Sequence, residues 1–249
     1  MKLTHVFGLV LALSLVLIPL PAQAACSNAT VQGGFGYLLT GVNGSATLAA
    51  IVGQFTADGK GKLTGSATYS NDGVITSSVV LSGTYSIKAN CSGIARIIST
   101  VFATANYNLN VVSGGPRIDM VDNDTGTTES GYALAQGVMN CTLSILKGGF
   151  AFEGGGFTSA LVPVAFSGQG QSDGAGNLSG NETSSGGGTI FSGAVSGTYT
   201  INSDCTGTVS VLFNGQQDHS TFVLVNSGQS ALQMQTDPET IITSTVTKP

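Results

Sequence analysis

The chain has no tryptophan, only two histidines and few charged residues, with 8 Lys and Arg against 13 Asp and Glu for a net charge of −5. Nucleic acids and anionic membrane surfaces are bound by clustered Lys and Arg, and the sequence contains no such cluster. Beyond the N-terminus, no apolar run approaches the ~18 residues of a membrane-spanning helix. The composition therefore argues against nucleic acid as a partner and predicts no membrane span.

Groups suited to catalysis are also scarce. His219 is the only histidine beyond the N-terminal region, and beside Asp218 it could form half of an acid/base pair. A histidine in a surface turn is the simpler interpretation, because the alignment of the two halves described below matches this pair with Thr104 and Ala105. No acid pair is shared by the halves either, since Glu153 and Glu182 match Leu38 and Ala67. We therefore predict no catalytic residue and favour a non-catalytic protein.

Metal sites have little support. No Cys-x-x-Cys pair is present, so a zinc site is disfavoured. The oxygen-rich turns that begin at Asp58 and Asp173 carry one carboxylate each, whereas calcium takes about 6 to 8 oxygen ligands. We interpret these turns as bulged hairpins and predict neither a metal nor a cofactor.

What the chain does contain is an N-terminal stretch typical of a signal peptide. Lys2 supplies a positive charge, residues 6–18 are apolar and uncharged, and small residues stand at Ala22 and Ala24. This pattern predicts that residues 1–24 are removed before Ala25, giving a secreted or periplasmic protein.

A lipid anchor on Cys26 is the alternative. Lipidated cysteines follow an aliphatic residue in the signal, and Gln23 occupies that place. Cys26 also has an internal counterpart, Cys141, that can never become an N-terminus. These two observations favour release without an anchor.

The remainder of the chain is duplicated. Residues 26–65 align without a gap to residues 141–180, and residues 83–93 (GTYSIKANCSG) recur as residues 197–207 (GTYTINSDCTG). We predict two domains of one fold, at residues 25–137 and 138–249. Features that both copies keep are most simply read as scaffold.

Each copy carries two cysteines at nearly the same spacing. Export to an oxidising compartment favours disulfides, and four cysteines allow three pairings. A duplicated unit that folds on its own favours Cys26 with Cys91 and Cys141 with Cys205.

Short alternating segments separated by Gly and Asn predict an all-β fold, and no helical period is present. Glycine contributes 36 of the 249 residues and supplies the positive φ of tight turns. In the first copy the predicted strands are residues 33–40, 47–56, 62–70, 79–88, 94–104, 107–112, 117–121 and 130–135. Eight strands joined by tight turns indicate an antiparallel meander closed into a barrel, with a two-sheet sandwich as the alternative.

The repeated motif resembles that of a family of secreted bacterial all-β repeat proteins with no established activity. The resemblance covers both copies and implies the fold, but it implies no catalytic or binding residue. The matching positions are Asp58, Gly59, Gly61, Gly83, Thr84, Tyr85, Ile87, Cys91 and Gly93, and Asp173, Gly174, Gly176, Gly197, Thr198, Tyr199, Ile201, Cys205 and Gly207.

Tyr85 and Tyr199 are the candidate ligand contacts, because both copies keep them on the apolar face of the same strand. A core tyrosine whose hydroxyl bonds to backbone is the alternative. Two functions follow from these readings. The first is an exported module that binds a small apolar ligand inside a barrel, and the second is a structural or adhesive surface protein with filled barrels. An apolar pocket beside Tyr85 or Tyr199 would favour the first.

Overall fold

The computed structural model describes residues 25–101, 104–112, 114–137 and 140–249. The predicted signal peptide, residues 1–24, lies outside this part of the chain. Residues 102 and 103 of the predicted fifth strand and residues 138 and 139 at the predicted junction of the copies also lie outside it. No helix among the described residues is long and apolar enough to cross a membrane.

The first copy forms a closed barrel of eight antiparallel strands. The strands are β1 Gln32–Val42, β2 Leu48–Asp58, β3 Lys62–Asn71, β4 Val74–Ile87, β5 Ser92–Ser99, β6 Ala105–Val111, β7 Arg117–Asp122 and β8 Ser130–Ala135. Each strand pairs with the next, and β8 pairs with β1 to close the sheet. The predicted barrel is therefore confirmed, and the sandwich alternative is wrong because the sheet has no open edge.

The second copy forms a second barrel of the same kind, in which β16 pairs with β9. Its strands are β9 Gly148–Thr158, β10 Pro163–Ser172, β11 Asn177–Gly186, β12 Thr189–Ile201, β13 Thr206–Phe213, β14 Gln216–Val225, β15 Ser230–Gln235 and β16 Thr240–Thr247. Short 3-10 turns occur at Asn28–Thr30, Leu143–Leu146 and Asn226–Gly228.

The strand predictions differ from the structure mainly around β4, which begins at Val74 rather than at residue 79. Asp72 and Gly73 both have positive φ, 52° and 77°. They form a two-residue turn whose twist matches that of the flanking strands. Pairing therefore resumes at once, with Asn71 opposite Val74. The fifth strand ends at Ser99, earlier than predicted.

Alternation along the strands places apolar side chains inside the first barrel and fills it. Leu81, Tyr85 and Ile87 are buried in its core, as their spacing predicts. The rings of Phe35 and Phe55 stack with their centroids 5.2 Å apart. The void left among these side chains measures only about 40 Å³. Such a void has room for a few water molecules at most.

The outer walls of the two barrels share a second apolar cluster, which we call the seam. It comprises Leu38, Ala50, Val52, Val223, Val225, Leu232, Met234 and Ile241. Contact is close, since an added Cβ on Gly36 would lie 2.6 Å from Val225 Cγ1. Hydrogen bonds also cross between the barrels, including Ser70 Oγ to the Thr240 carbonyl at 2.9 Å. The barrels are therefore packed side against side.

One disulfide closes each copy, with Cys26 bonded to Cys91 and Cys141 to Cys205. This is the pairing that the duplication predicts. Each bond joins the segment before the first strand of a barrel to the turn between the fourth and fifth strands. The bonds suit an oxidising compartment.

Candidate ligand cavity in the second barrel

The second barrel encloses a cavity of about 380 Å³, whereas the first barrel is filled. Ligand pockets in proteins measure about 300 to 1,000 Å³, so this volume suits a small molecule. Two barrels of the same topology therefore differ in the feature that matters most for binding.

Replacement of bulky inward side chains explains the cavity. The strand registers match each position of one copy with a position of the other. At several inward positions a large apolar or aromatic residue of the first barrel is replaced by a smaller or polar one. Five of these pairs, with the first-barrel residue named first, are Leu39 and Gly154, Phe55 and Gly170, Tyr69 and Ser184, Tyr107 and Ser220, and Met120 and Gln233.

Two of these replacements are glycines on which aromatic rings lie. An added Cβ would be 2.5 Å from Phe166 Cζ at Gly154 and 2.8 Å from Phe150 Cζ at Gly170. Only glycine lets the rings lie this close to the barrel wall. Phe152 stands between them, with centroid distances of 6.2 Å to Phe150 and 6.3 Å to Phe166. The result is an aromatic lining along β9 and β10.

Two carboxyl groups face the same cavity, Glu182 on β11 and Asp218 on β14. They stand where the first barrel has Ala67 and Ala105, which are buried core residues. Burial raises the pKa of Glu182 to about 7, and the charge of Asp218 adds to the effect. Burial, followed by the charge of Asp237, also raises the pKa of Asp218.

His219 does not work with Asp218, because neighbouring residues in a strand point to opposite faces. Its Nδ1 lies 2.8 Å from Asp237 Oδ1, and its backbone N–H donates to Asp237 Oδ2. The register matches His219 with Asn106 and Asp218 with Ala105, so the sequence alignment to Thr104 and Ala105 was wrong by one residue.

The first barrel contains the same arrangement as the pair of His219 and Asp237. Asn106 donates to Asp124 through its backbone N–H at 2.9 Å and its Nδ2 at 2.6 Å. Because both copies keep this contact outside the barrel, it is structural. Glu153 is also exposed on the outer face of β9 and does not meet Glu182.

Tyr199 lines the cavity near the 3-10 turn Leu143–Leu146, which we call the plug turn because Leu146 lies against that end of the cavity. Its hydroxyl donates to the Leu143 carbonyl at 3.0 Å and accepts from Ser172 Oγ at 2.7 Å. In the first barrel the Tyr85 hydroxyl donates to the Val31 carbonyl at 2.6 Å. Both tyrosines thus fasten the segment that precedes the first strand of their barrel.

Replacing Tyr85 or Tyr199 with phenylalanine is expected to cost about 1 kcal/mol of unfolding free energy in each case, through the lost hydrogen bond. Tyr199→Phe should cost slightly more, because it also removes the acceptor of the Ser172 hydroxyl. Urea denaturation of the two variants measures these losses of unfolding free energy. If only one variant lost stability, the two tyrosines would not share the role of holding the segment that precedes the first strand of each barrel.

Ser172 lies in the run Gly170-Gln171-Ser172-Asp173-Gly174, which has the Gly-x-Ser-x-Gly spacing of a hydrolase nucleophile. In those enzymes the serine stands between a strand and a helix. Here it ends β10 at a hairpin that leads to β11, and its hydroxyl bonds Tyr199. Ser172 is therefore positioned as a structural residue of the barrel wall and does not have the geometry of a hydrolase nucleophile.

Asp58 and Asp173 cap their hairpin turns with one carboxylate each. Asp58 Oδ1 accepts from the backbone N–H groups of Lys62 and Lys60, which lowers the pKa of Asp58. Asp173 Oδ1 accepts from those of Ala175 and Asn177. Among the described residues, no group of three or more His, Cys, Asp or Glu could hold a metal ion.

From the sequence, Tyr199 is a candidate ligand contact, whereas Glu182 and Asp218 are set aside because the other copy has no acid at the matching positions. The structure places both acids in the cavity that Tyr199 lines. An acid at an inward position where the other copy has alanine is the signal that finds them; the sequence shows it for Glu182 and Ala67, but only the register matches Asp218 with Ala105. The two copies therefore share a scaffold and differ in the cavity.

Comparisons with known proteins give little guidance to function. No known protein family matches the chain, and no curated protein sequence matches it. Among solved structures, the crystal structure of kievitone hydratase from Nectria haematococca is similar, with a TM-score of 0.29 and 8% identity over 91% of this chain and 94% of that chain. That similarity is too low to support an inference, and the resemblance to secreted bacterial repeat proteins stays a prediction.

Proposed function

We propose that the second barrel binds a small, largely apolar ligand and that the first barrel is a solid structural partner. The observation that carries this is the cavity of about 380 Å³, lined by phenylalanine and aliphatic side chains together with hydroxyl, amide and carboxyl groups. Ligand sites in proteins combine apolar walls with polar groups that fix the orientation of the ligand. The carboxyl, amide and hydroxyl groups of this cavity are groups that a ligand can contact and that can orient it. The filled first barrel favours the structural alternative for that copy alone.

We further propose that the protein works outside the cytoplasm. The N-terminal pattern is that of a signal peptide, and both disulfides suit an oxidising compartment. A binding protein there would meet ligands from the surroundings of the cell. Binding without catalysis is the simpler role, because the one histidine in the described residues bonds outside the barrel.

Restoring the bulky residues of the first barrel tests the cavity directly. The variant Ser184→Tyr/Ser220→Tyr introduces the side chains of Tyr69 and Tyr107 at matching positions. We expect it to fold and to lose ligand binding at least about tenfold, because two phenol rings would occupy the cavity. Isothermal titration with 4-phenylbutan-1-ol, an apolar probe with one hydroxyl group, measures the change. Native mass spectrometry of protein from its source tests for a retained molecule.

Ser196→Tyr is the matched control, since Ser196 is exposed on the outer face of β12. It adds the same ring without entering the cavity and should bind the probe like the wild type. Unchanged binding by the folded double variant would contradict the cavity as the binding site.

A further inference from the structure

The two carboxyl groups in the cavity need an explanation that the barrel fold does not supply. Taking a carboxylate out of water is costly unless a partner compensates it. The first barrel has alanine at both positions and folds with a filled core, so the fold does not require acids there. Glu129 shows that a barrel of this fold can hold a buried acid without a ligand. The case for a partner therefore rests on the cavity that Glu182 and Asp218 both face and on the rest of its lining.

In the part of the chain that the structure describes, no basic side chain bonds either carboxylate. His219 lies on the outer face and bonds Asp237, and it acts on Asp218 only through its charge, which lowers the pKa of Asp218 against the larger effect of burial. Lys248, the only basic residue among the described residues that line the cavity, is at the far end, where its Nζ donates to the Ile145 carbonyl. Asp218 accepts one hydrogen bond, from Gln235 Nε2 at 3.2 Å, and none of the described donors bonds the Glu182 carboxylate.

The rest of the lining suits a positive charge as well. Faces of aromatic rings attract cations, and phenylalanine rings on β9, β10 and β13 line the same cavity as the acids. The residues are Phe150, Phe152, Phe166 and Phe213. An anionic ligand would meet two like charges at this end of the barrel, and a neutral one would leave the carboxylates without a counter-charge.

We propose that the ligand of the second barrel is a small amphipathic amine, whose protonated nitrogen pairs with Glu182 and Asp218 and whose apolar body lies against the phenylalanines. This rests on the proposed function, because it specifies the chemistry of the molecule held in the same cavity. A bound cation favours the charged forms of both acids and so lowers the pKa values that burial raises. Glu129 of the first barrel also has its pKa raised by burial, but that barrel has no room for a ligand.

Three probes with one apolar body test the proposal on the full chain. They are 4-phenylbutylamine, 4-phenylbutan-1-ol and 4-phenylbutanoate, which carry a positive, a neutral and a negative head group. Isothermal titration at pH 8, where Glu182 is ionised, should show the amine binding at least about tenfold more tightly than the alcohol. The carboxylate should bind most weakly.

Removing the charges should remove this preference. In Glu182→Gln/Asp218→Asn, we expect the amine and the alcohol to bind within about twofold of each other, the alcohol being little affected. Glu182→Gln alone should reduce the preference only in part, because Asp218 keeps its charge. Glu153→Gln is the matched control, because it removes one negative charge from the outer face of the same barrel. It should keep the full preference for the amine.

The possible results separate this proposal from the proposed function. If the wild type binds the alcohol as tightly as the amine, or if Glu182→Gln/Asp218→Asn keeps the preference, the amine proposal is overturned while the cavity remains a binding site. If none of the three probes binds and the native protein retains no molecule, the proposed function itself is overturned.

Discussion

Replacing Leu232 with alanine is expected to destabilise the whole molecule by about 2 to 5 kcal/mol, the range for truncating a buried leucine. Leu232 is fully buried in the seam, where it packs with Met234 and Val223 of its own barrel and with Val52 of the other. Truncation would leave a cavity between two rigid sheets, which have little freedom to close it. We therefore expect the cost to fall in the upper part of that range.

Intrinsic fluorescence shows whether the two barrels respond together. The chain has six tyrosines and no tryptophan, and Tyr199 is the only tyrosine of the second barrel. Tyrosine emission thus reports mainly on the first barrel, whereas far-UV circular dichroism reports on both. Leu232→Ala changes the second barrel, so a matching shift of both urea transitions would show that the seam couples the barrels.

Leu212→Ala is the matched control for this prediction. Leu212 is on the outer face of β13 and is about half exposed. Its truncation should change stability by less than about 0.5 kcal/mol, as is usual for surface substitutions. If Leu232→Ala shifted only the dichroism transition and left the tyrosine transition in place, the barrels would be independent units and the seam a weak contact.

The seam itself could not be predicted from the sequence. Strand alternation separates inward from outward residues, and Val223, Val225 and Leu232 read as ordinary members of apolar strands. Whether an outward apolar residue is covered depends on how two barrels pack, which local pattern does not determine. Tyr85 and Ile87, by contrast, were placed correctly because one barrel wall determines their environment.

The difference between a filled and a hollow barrel is equally hard to read from one copy. The count of strands fixes the width of a barrel, but the free volume depends on the sum of all inward side chains. The small side chains of Ser184 and Ser220 indicate a cavity only when the strand register matches them with Tyr69 and Tyr107 of the first barrel. Duplication is therefore the most useful sequence feature here, because it lets each inward position be compared with its counterpart.

Removing the disulfides is expected to give the second large effect. The bonds close loops of nearly equal length, with sequence separations of 65 and 64. For loops of this length the chain-entropy model predicts about 4 kcal/mol of stabilisation each. Cys26→Ser/Cys91→Ser and Cys141→Ser/Cys205→Ser should therefore lose similar amounts of unfolding free energy. Urea denaturation under non-reducing conditions measures both, with peptide mapping of the wild type to verify the linkages.

Ligand release should distinguish the two disulfides. Cys141 immediately precedes the plug turn, whose Leu146 lies against one end of the cavity and whose Leu143 carbonyl accepts from Tyr199. Without the bond, the contacts that hold the plug turn among the described residues are this hydrogen bond, the one from Lys248 Nζ to the Ile145 carbonyl, and apolar packing. We expect Cys141→Ser/Cys205→Ser to release a bound probe several-fold faster, measured by stopped-flow displacement, while Cys26→Ser/Cys91→Ser releases it at the wild-type rate. Equal acceleration in the two variants would mean that release follows overall stability and that the plug turn does not close the cavity.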